Sequence, residues 1–175
     1  MACGGKDSVE RIGEALIKKV IEEELKDIPL EDDPFLTLDA VEVKNEQEEE
    51  RVKEVSALVR KVGDKLKDDK EIQDGIKRLA RDFELGGTEE ANKMLEAVFN
   101  ETFKDGITWE KIVSFLYVVG KVVGIMAVLM AGSMVVMALC PSVKRILSWT
   151  VDFFKNYLLV WIREQGGWIR CLVQS

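Results

Sequence analysis

The sequence predicts an all-α fold, a single domain of about eight helices packed around one hydrophobic central helix. Three observations carry this expectation. Apolar residues return at steps of three and four through most of the 175 residues, which is the period of a helix with one buried face. Three prolines and a 7% aromatic content disfavour a sandwich of many short strands and turns. Between Ile112 and Cys140 the only charged residue is Lys121, so this stretch must be covered either by neighbouring helices or by lipid.

Taken in chain order, the first helix runs from Ser8, a suitable N-cap, with Val9, Ile12, Leu16, Val20 and Ile21 on one side, and ends near Leu25–Asp27 before the Ile28-Pro29 step. Residues 27–50 are acidic, contain two prolines and show no sustained period. They are expected to form a long mobile loop, dispensable for folding because loop closure depends weakly on length. A second helix follows over about Gln47–Lys67, where Val55, Val59, Val62 and Leu66 form a single stripe. Ile72, Ile76, Leu79 and Phe83 repeat the spacing in a third helix, stopped by Gly86-Gly87. Thr88 opens a fourth, with Ala91, Met94, Leu95, Val98 and Phe99 inward.

Asp105-Gly106 breaks the chain, and Thr108 is placed to cap a helix starting at Trp109 with Glu110 in its first turn. This helix is expected to end at Cys140-Pro141, with Ser142 capping the next, which carries Val143, Ile146, Leu147, Phe153, Phe154 and Leu158. Gln165-Gly166-Gly167 breaks that helix ahead of a short terminal one from Trp168.

Charge narrows the function classes. The net charge is −7, but residues 1–111 hold 30 acids against 19 bases, while 112–175 hold two acids against six bases. An acidic half is joined to an apolar, mildly cationic half that suits an anionic membrane surface, and nucleic acid is not an expected partner. With no histidine, Ser-His-Asp and Cys-His catalysis and His-ligated zinc are excluded. Cys3, Cys140 and Cys171 are too scattered for a disulfide framework or a Cys-only metal site, and suit a reducing compartment. No carboxylate pair has neighbours marking a catalytic dyad. The expectation is no catalytic residue, no metal and no cofactor. The N-terminus is not expected to act as a signal peptide, since its first apolar run is short and interrupted by charge.

Two segments have competing readings. Val122–Cys140 is 19 uncharged residues, about 28 Å of helix at 1.5 Å per residue. It is either a central helix buried by amphipathic neighbours or a transmembrane span. Gly120-x-x-x-Gly124 just before and within it serves close helix packing in either setting. The Val55–Leu66 stripe is either one more core face or a helix whose anchors enter a partner's groove. In the latter, Gly63 permits close approach and Asp64 meets a cation on the groove rim.

The blocks Ala97–Lys121 (AVFNETFKDGITWEKIVSFLYVVGK) and Trp161–Val173 (WIREQGGWIRCLV), with the Gly63-Asp64 helix before them, resemble the Bcl-2 family of apoptosis regulators. Asp105-Gly106 and Trp109 match its first homology motif. Trp161, Ile162, Gly166, Gly167 and Trp168 match its second. Val55–Leu66 falls at the third and Ser8–Leu25 at the fourth. The run from Ile146 to Trp161 and the Glu164–Gly167 turn are similar to the family's Bax-like branch.

The resemblance implies a helical bundle that binds the helices of other family members in a groove at Trp109, Lys111, Val113, Phe115 and Leu116. It also implies self-association, with the protein resting in the cytoplasm and on activation inserting the hairpin Ile112–Tyr157 into the mitochondrial outer membrane to form pores. The alternative within the family is a survival protein that sequesters partner helices without forming pores. Three departures from the family pattern stand out. Asn-Trp-Gly-Arg is here Thr108-Trp109-Glu110-Lys111, so a point charge replaces the bidentate arginine fork. The second anchor, usually Leu, is Val59. The central apolar segment is also longer than expected, and it supplies membrane affinity if no C-terminal anchor follows Ser175.

Overall fold

The computed structural model describes residues 8–25, 46–85, 88–131 and 136–170, the side chains of 25, 82–92 and 126–144 excepted. Its helices are α1 (Ser8–Leu25), α2 (Glu46–Leu66), α3 (Lys70–Leu85), α4 (Thr88–Phe103), α5 (Trp109–Ala131), α6 (Val136–Phe153) and α7 (Leu159–Glu164). A π-helical turn, Phe154–Leu158, joins α6 to α7. The described residues contain no strand, and the all-α prediction holds.

α5 is the centre of the bundle, packed against α1, α2, α3, α4 and α6. Ile112, Val113, Phe115, Leu116, Tyr117, Val119, Gly120, Val122, Val123 and Gly124 are all buried. Between residues 111 and 125 only Lys111, Ser114, Val118, Lys121 and Ile125 remain half-exposed, a narrow stripe at steps of three and four. The central helix is thus enclosed on nearly every side, as its composition requires. α1 covers it at the glycine pair. A Cβ on Gly120 would come within 2.6 Å of Val20 Cγ1, and one on Gly124 within 3.0 Å of Glu24 Oε2.

Local sequence sets the ends. Thr108 Oγ1 accepts a hydrogen bond from the Lys111 backbone N–H at 3.2 Å, an N-cap for α5. Asp69 Oδ1 does the same for α3 through the Ile72 N–H. After α7, Gly167 N–H bonds Ile162 O at 2.9 Å and Gly166 N–H bonds Arg163 O at 3.1 Å, the paired bonds of a Schellman stop. Gly166 (φ 103°) and Gly167 (φ 93°) occupy the left-handed region this stop demands.

Two expectations are corrected. The acidic loop does not reach residue 50, because α2 begins at Glu46. Glu48 is buried and grips Arg11 of α1 through both carboxylate oxygens, at 2.9 and 2.7 Å. A guanidinium fork on a carboxylate this enclosed gives the run a structural task that a solvated loop lacks. The central helix does not run to Cys140 either. α5 ends at Ala131 and α6 starts at Val136, so Pro141 and Ser142 lie inside α6 and not at a helix start. Proline forfeits one i→i−4 bond here, and the helix continues past it. The described residues hold seven α-helices and the π turn, and the short terminal helix expected from Trp168 opens at 169–170, its remainder lying outside them.

Glu48→Ala should lower stability by about 1–3 kcal/mol, since it strips a half-buried guanidinium of a charged partner. Chemical denaturation of the purified protein measures it. Among the described residues no helix is long and apolar enough to cross a membrane. The expected loop over residues 27–45, the Gly86-Gly87 stop, Gly132–Val135 of the apolar run and the last part of the second motif, 171–173, lie outside the described residues. So do the side chains of Phe83, Ala91 and Val143.

Candidate functional site

α2 carries the Gly63-Asp64 pair, and its four anchors point inward. Val55 is fully buried, Val59 is 4% exposed, and Val62 and Leu66 pack half-buried against the same core. The stripe faces α1 and α5. Gly63 is buried against Tyr117 of α5, so closely that a Cβ would lie 2.6 Å from Tyr117 Cε1. Asp64, one residue on, is exposed and has no ion pair among the described residues. One helix therefore presents its apolar face to the core and its acidic pair member to solvent.

Beside it lies a cavity of about 310 Å³ between α1, α2 and α5. Val20, Val59, Gly63 and Tyr117 supply its apolar wall, and Glu23–Arg60 (3.5 Å) and Glu24–Lys121 (3.3 Å) bridge its rim. Ser56 lines it too, with a buried hydroxyl that has no hydrogen-bond partner among the described residues. Tyr117 closes one end. Its hydroxyl accepts a hydrogen bond from Gln73 Nε2 at 3.1 Å, and the same amide donates to Leu66 O, at the last turn of α2, at 3.0 Å.

The residues assigned to the groove sit differently from one another. Trp109, Val113, Phe115 and Leu116 are buried in the core. Lys111 is half-exposed, and its ammonium donates to Gly106 O at 3.1 Å. The structure brings Trp109 together with the second motif: its ring stands 5.0 Å from that of Trp161, edge to face, and 5.9 Å from that of Trp168. Trp168 in turn stacks on Phe154 and donates from Nε1 to Val9 O of α1 at 3.0 Å. Ile162 is buried beneath. Trp161, Ile162 and Trp168 thus tie the chain's C-terminal part to its first helix and to the start of α5. They do not adjoin Asp64.

Sequence reasoning missed the cavity, the Gln73–Tyr117 bond and the Arg11–Glu48 pair. Their residues are far apart in the chain, and neither Gln73 nor Glu48 differs in type from solvated neighbours. Of the cavity lining, Val20, Val59, Gly63, Asp64 and Lys121 carried a signal in the sequence, but nothing in it placed them together.

An all-helical bundle closed around an apolar helix, with a four-anchor Gly-Asp helix folded against it, defines the class. A model of the family described as apoptosis regulator proteins, Bcl-2 family, matches residues 59–168, and the chain belongs to the Bcl-2 family. The mouse apoptosis regulator BAX is 31% identical over 121 residues, covering 66% of this chain and 53% of that protein. Bcl-2-like protein 1 of the rat is 35% identical over 87 residues, 45% of this chain and 30% of that protein. The chain thus spans about half the length of the first of these relatives and less of the second. Among solved structures, Trichoplax adhaerens trBcl-2L2 bound to trBak BH3 shares the fold, with a TM-score of 0.69 at 19% identity over 95% of this chain and 97% of that one.

Proposed function

We propose that this protein promotes apoptosis by releasing its α2 helix, exchanging helices with other Bcl-2 family proteins and with itself, and permeabilising the mitochondrial outer membrane. The observation that carries the reading is the inward stripe of Val55, Val59, Val62 and Leu66 beside a solvent-facing Asp64. Such a helix serves as core in one state and as ligand in another. Similarity to BAX over most of the described chain supports the pore-forming branch, and the neighbour solved with a bound trBak BH3 supports helix binding. The protein rests in the cytoplasm and moves to the mitochondrial outer membrane on activation. No bond is made or broken, and no cofactor takes part.

Similarity to Bcl-2-like protein 1 favours a second reading, a survival protein that captures helices and forms no pore. Dye-loaded liposomes of mitochondrial outer-membrane composition separate the two. With an activating family helix peptide the protein should release dye, whereas a sequestering protein gives no release of its own.

Asp64→Arg is the cleanest probe of the helix, because Asp64 is exposed and the resting fold does not depend on it. Its cation would meet Lys111 on a partner groove, weakening association by about 2–5 kcal/mol if that pair is buried. Full cross-linking and dye release by this variant would show that α2 is not the ligand.

A further inference from the structure

We infer that Gln73 and Tyr117 form a latch that sets the threshold for releasing α2, an inference that rests on the helix-release reading above. α2 is held at two points near its C-terminal end. The Tyr117 ring seats on Gly63 with no room for a single added carbon, and the Gln73 amide bridges the Tyr117 hydroxyl to the Leu66 carbonyl. One side chain of α3 thereby fastens α2 to α5.

The latch is placed where it governs α2 more than the rest of the fold. Tyr117 is a buried residue of the central helix and cannot follow α2 outward. Its ring also has Lys121 Nζ 5.9 Å from its centroid, and Lys121 pairs with Glu24 of α1 at 3.3 Å. Through Lys121, its neighbour one turn along α5, the ring is thereby linked to α1 as well. Gln73 by contrast is half-buried at the surface, so its bonds can open without exposing core. The Leu66 carbonyl has the Asp69 N–H as a further partner at 3.0 Å, so an open latch does not leave it bare. Only the hydrogen bonds through Gln73 are broken. A net hydrogen bond is worth enough to change an opening equilibrium by about three- to tenfold, which suits a threshold rather than a lock.

The cavity supplies the reporter. Ser56 lies on α2, is buried, and its hydroxyl has no partner to lose, so Ser56→Cys introduces a thiol into space that already exists. With Cys3, Cys140 and Cys171 changed to Ser, thiol labelling at residue 56 reports the opening of α2. Gln73→Leu and Tyr117→Phe should each speed labelling about three- to tenfold, and the double variant should do little more than Gln73→Leu, since both act through one bridge. Hydrogen exchange in α6 and α7 should stay unchanged. Unaltered labelling in folded variants would overturn the latch, as would acceleration matched by equally faster exchange throughout the bundle. The liposome assay separates this from the broader reading. Faster labelling with a lowered peptide requirement for dye release supports both. Faster labelling without any dye release keeps the latch and removes pore formation.

Discussion

Replacing Gly63 by Glu should abolish the cooperative thermal transition of the resting protein, beyond any effect on partner binding. The cause lies within the chain. An alanine there already places its Cβ 2.6 Å from Tyr117 Cε1, an overpacking that costs about 1–3 kcal/mol. Glutamate adds a carboxylate that must be desolvated or must force α2 away, a further cost on the order of several kcal/mol. Together these approach the whole stability of a typical domain, about 5–15 kcal/mol. The obstacle is identified by a double-mutant cycle. Tyr117→Leu removes the ring, so Gly63→Ala should cost less in that background, by about 1 kcal/mol or more. Strictly additive losses would show that the ring is not what Gly63 accommodates. A free peptide covering residues 51–69 has no Tyr117 to meet, and its affinity for a partner measures the docking role of Gly63 alone.

Gly63 illustrates what was legible in the sequence. The stripe Val55, Val59, Val62 and Leu66 obeys the helical period, and it lies on one inward face of α2. Thr108 and the Gly166-Gly167 pair announced a helix start and a stop through local chemistry, and the caps are formed by those same residues. Local rules succeed wherever the hydrogen-bond partner is a few residues away. They fail where the partner is distant. Glu48 stands among three other glutamates in a row of four residues out of five, and only the approach of Arg11 from 37 residues earlier distinguishes it. Gln73 is one polar residue on an amphipathic helix until Tyr117, 44 residues later, meets it.

Composition also misplaced a boundary. A run of apolar residues carries no mark of where one buried helix turns into the next, so the stretch from Ile112 to Cys140 looked continuous. Pro141 looked like its end, although α6 begins five residues before it and continues past it. The groove assignment had a related weakness. Trp109, Val113, Phe115 and Leu116 have the composition of a pocket lining and equally that of a core, and in this state the core holds them. The π turn at Phe154–Leu158 had no signal, because an inserted residue in a helix changes phase without changing composition. Within it, Lys155 reaches Glu14 of α1 at 3.7 Å.

Val118→Glu should leave the bundle folded and abolish membrane permeabilisation. Val118 belongs to the half-exposed stripe of α5, with Ser114 and Lys121 on either side, so a carboxylate there can reach water. Its cost in the resting state is the lost partial packing of one valine, about 1 kcal/mol. In the proposed inserted state the same residue would sit midway along α5. An acidic side chain at that depth costs about 2.5–3.5 kcal/mol on insertion scales, roughly a hundredfold in the insertion equilibrium for each copy. Water and lipid therefore penalise one substitution unequally, which is what a test of insertion needs. Circular dichroism and thermal melting establish that the variant folds, and liposome dye release reads the effect. Val118→Leu, equally apolar, should release dye as the parent does. A probe at Val118→Cys, with the three native cysteines removed, adds an independent measure, since its emission should shift to the blue on adding liposomes and activating peptide. Full release by folded Val118→Glu, with an unshifted probe, would place α5 outside the membrane and leave permeabilisation to another segment.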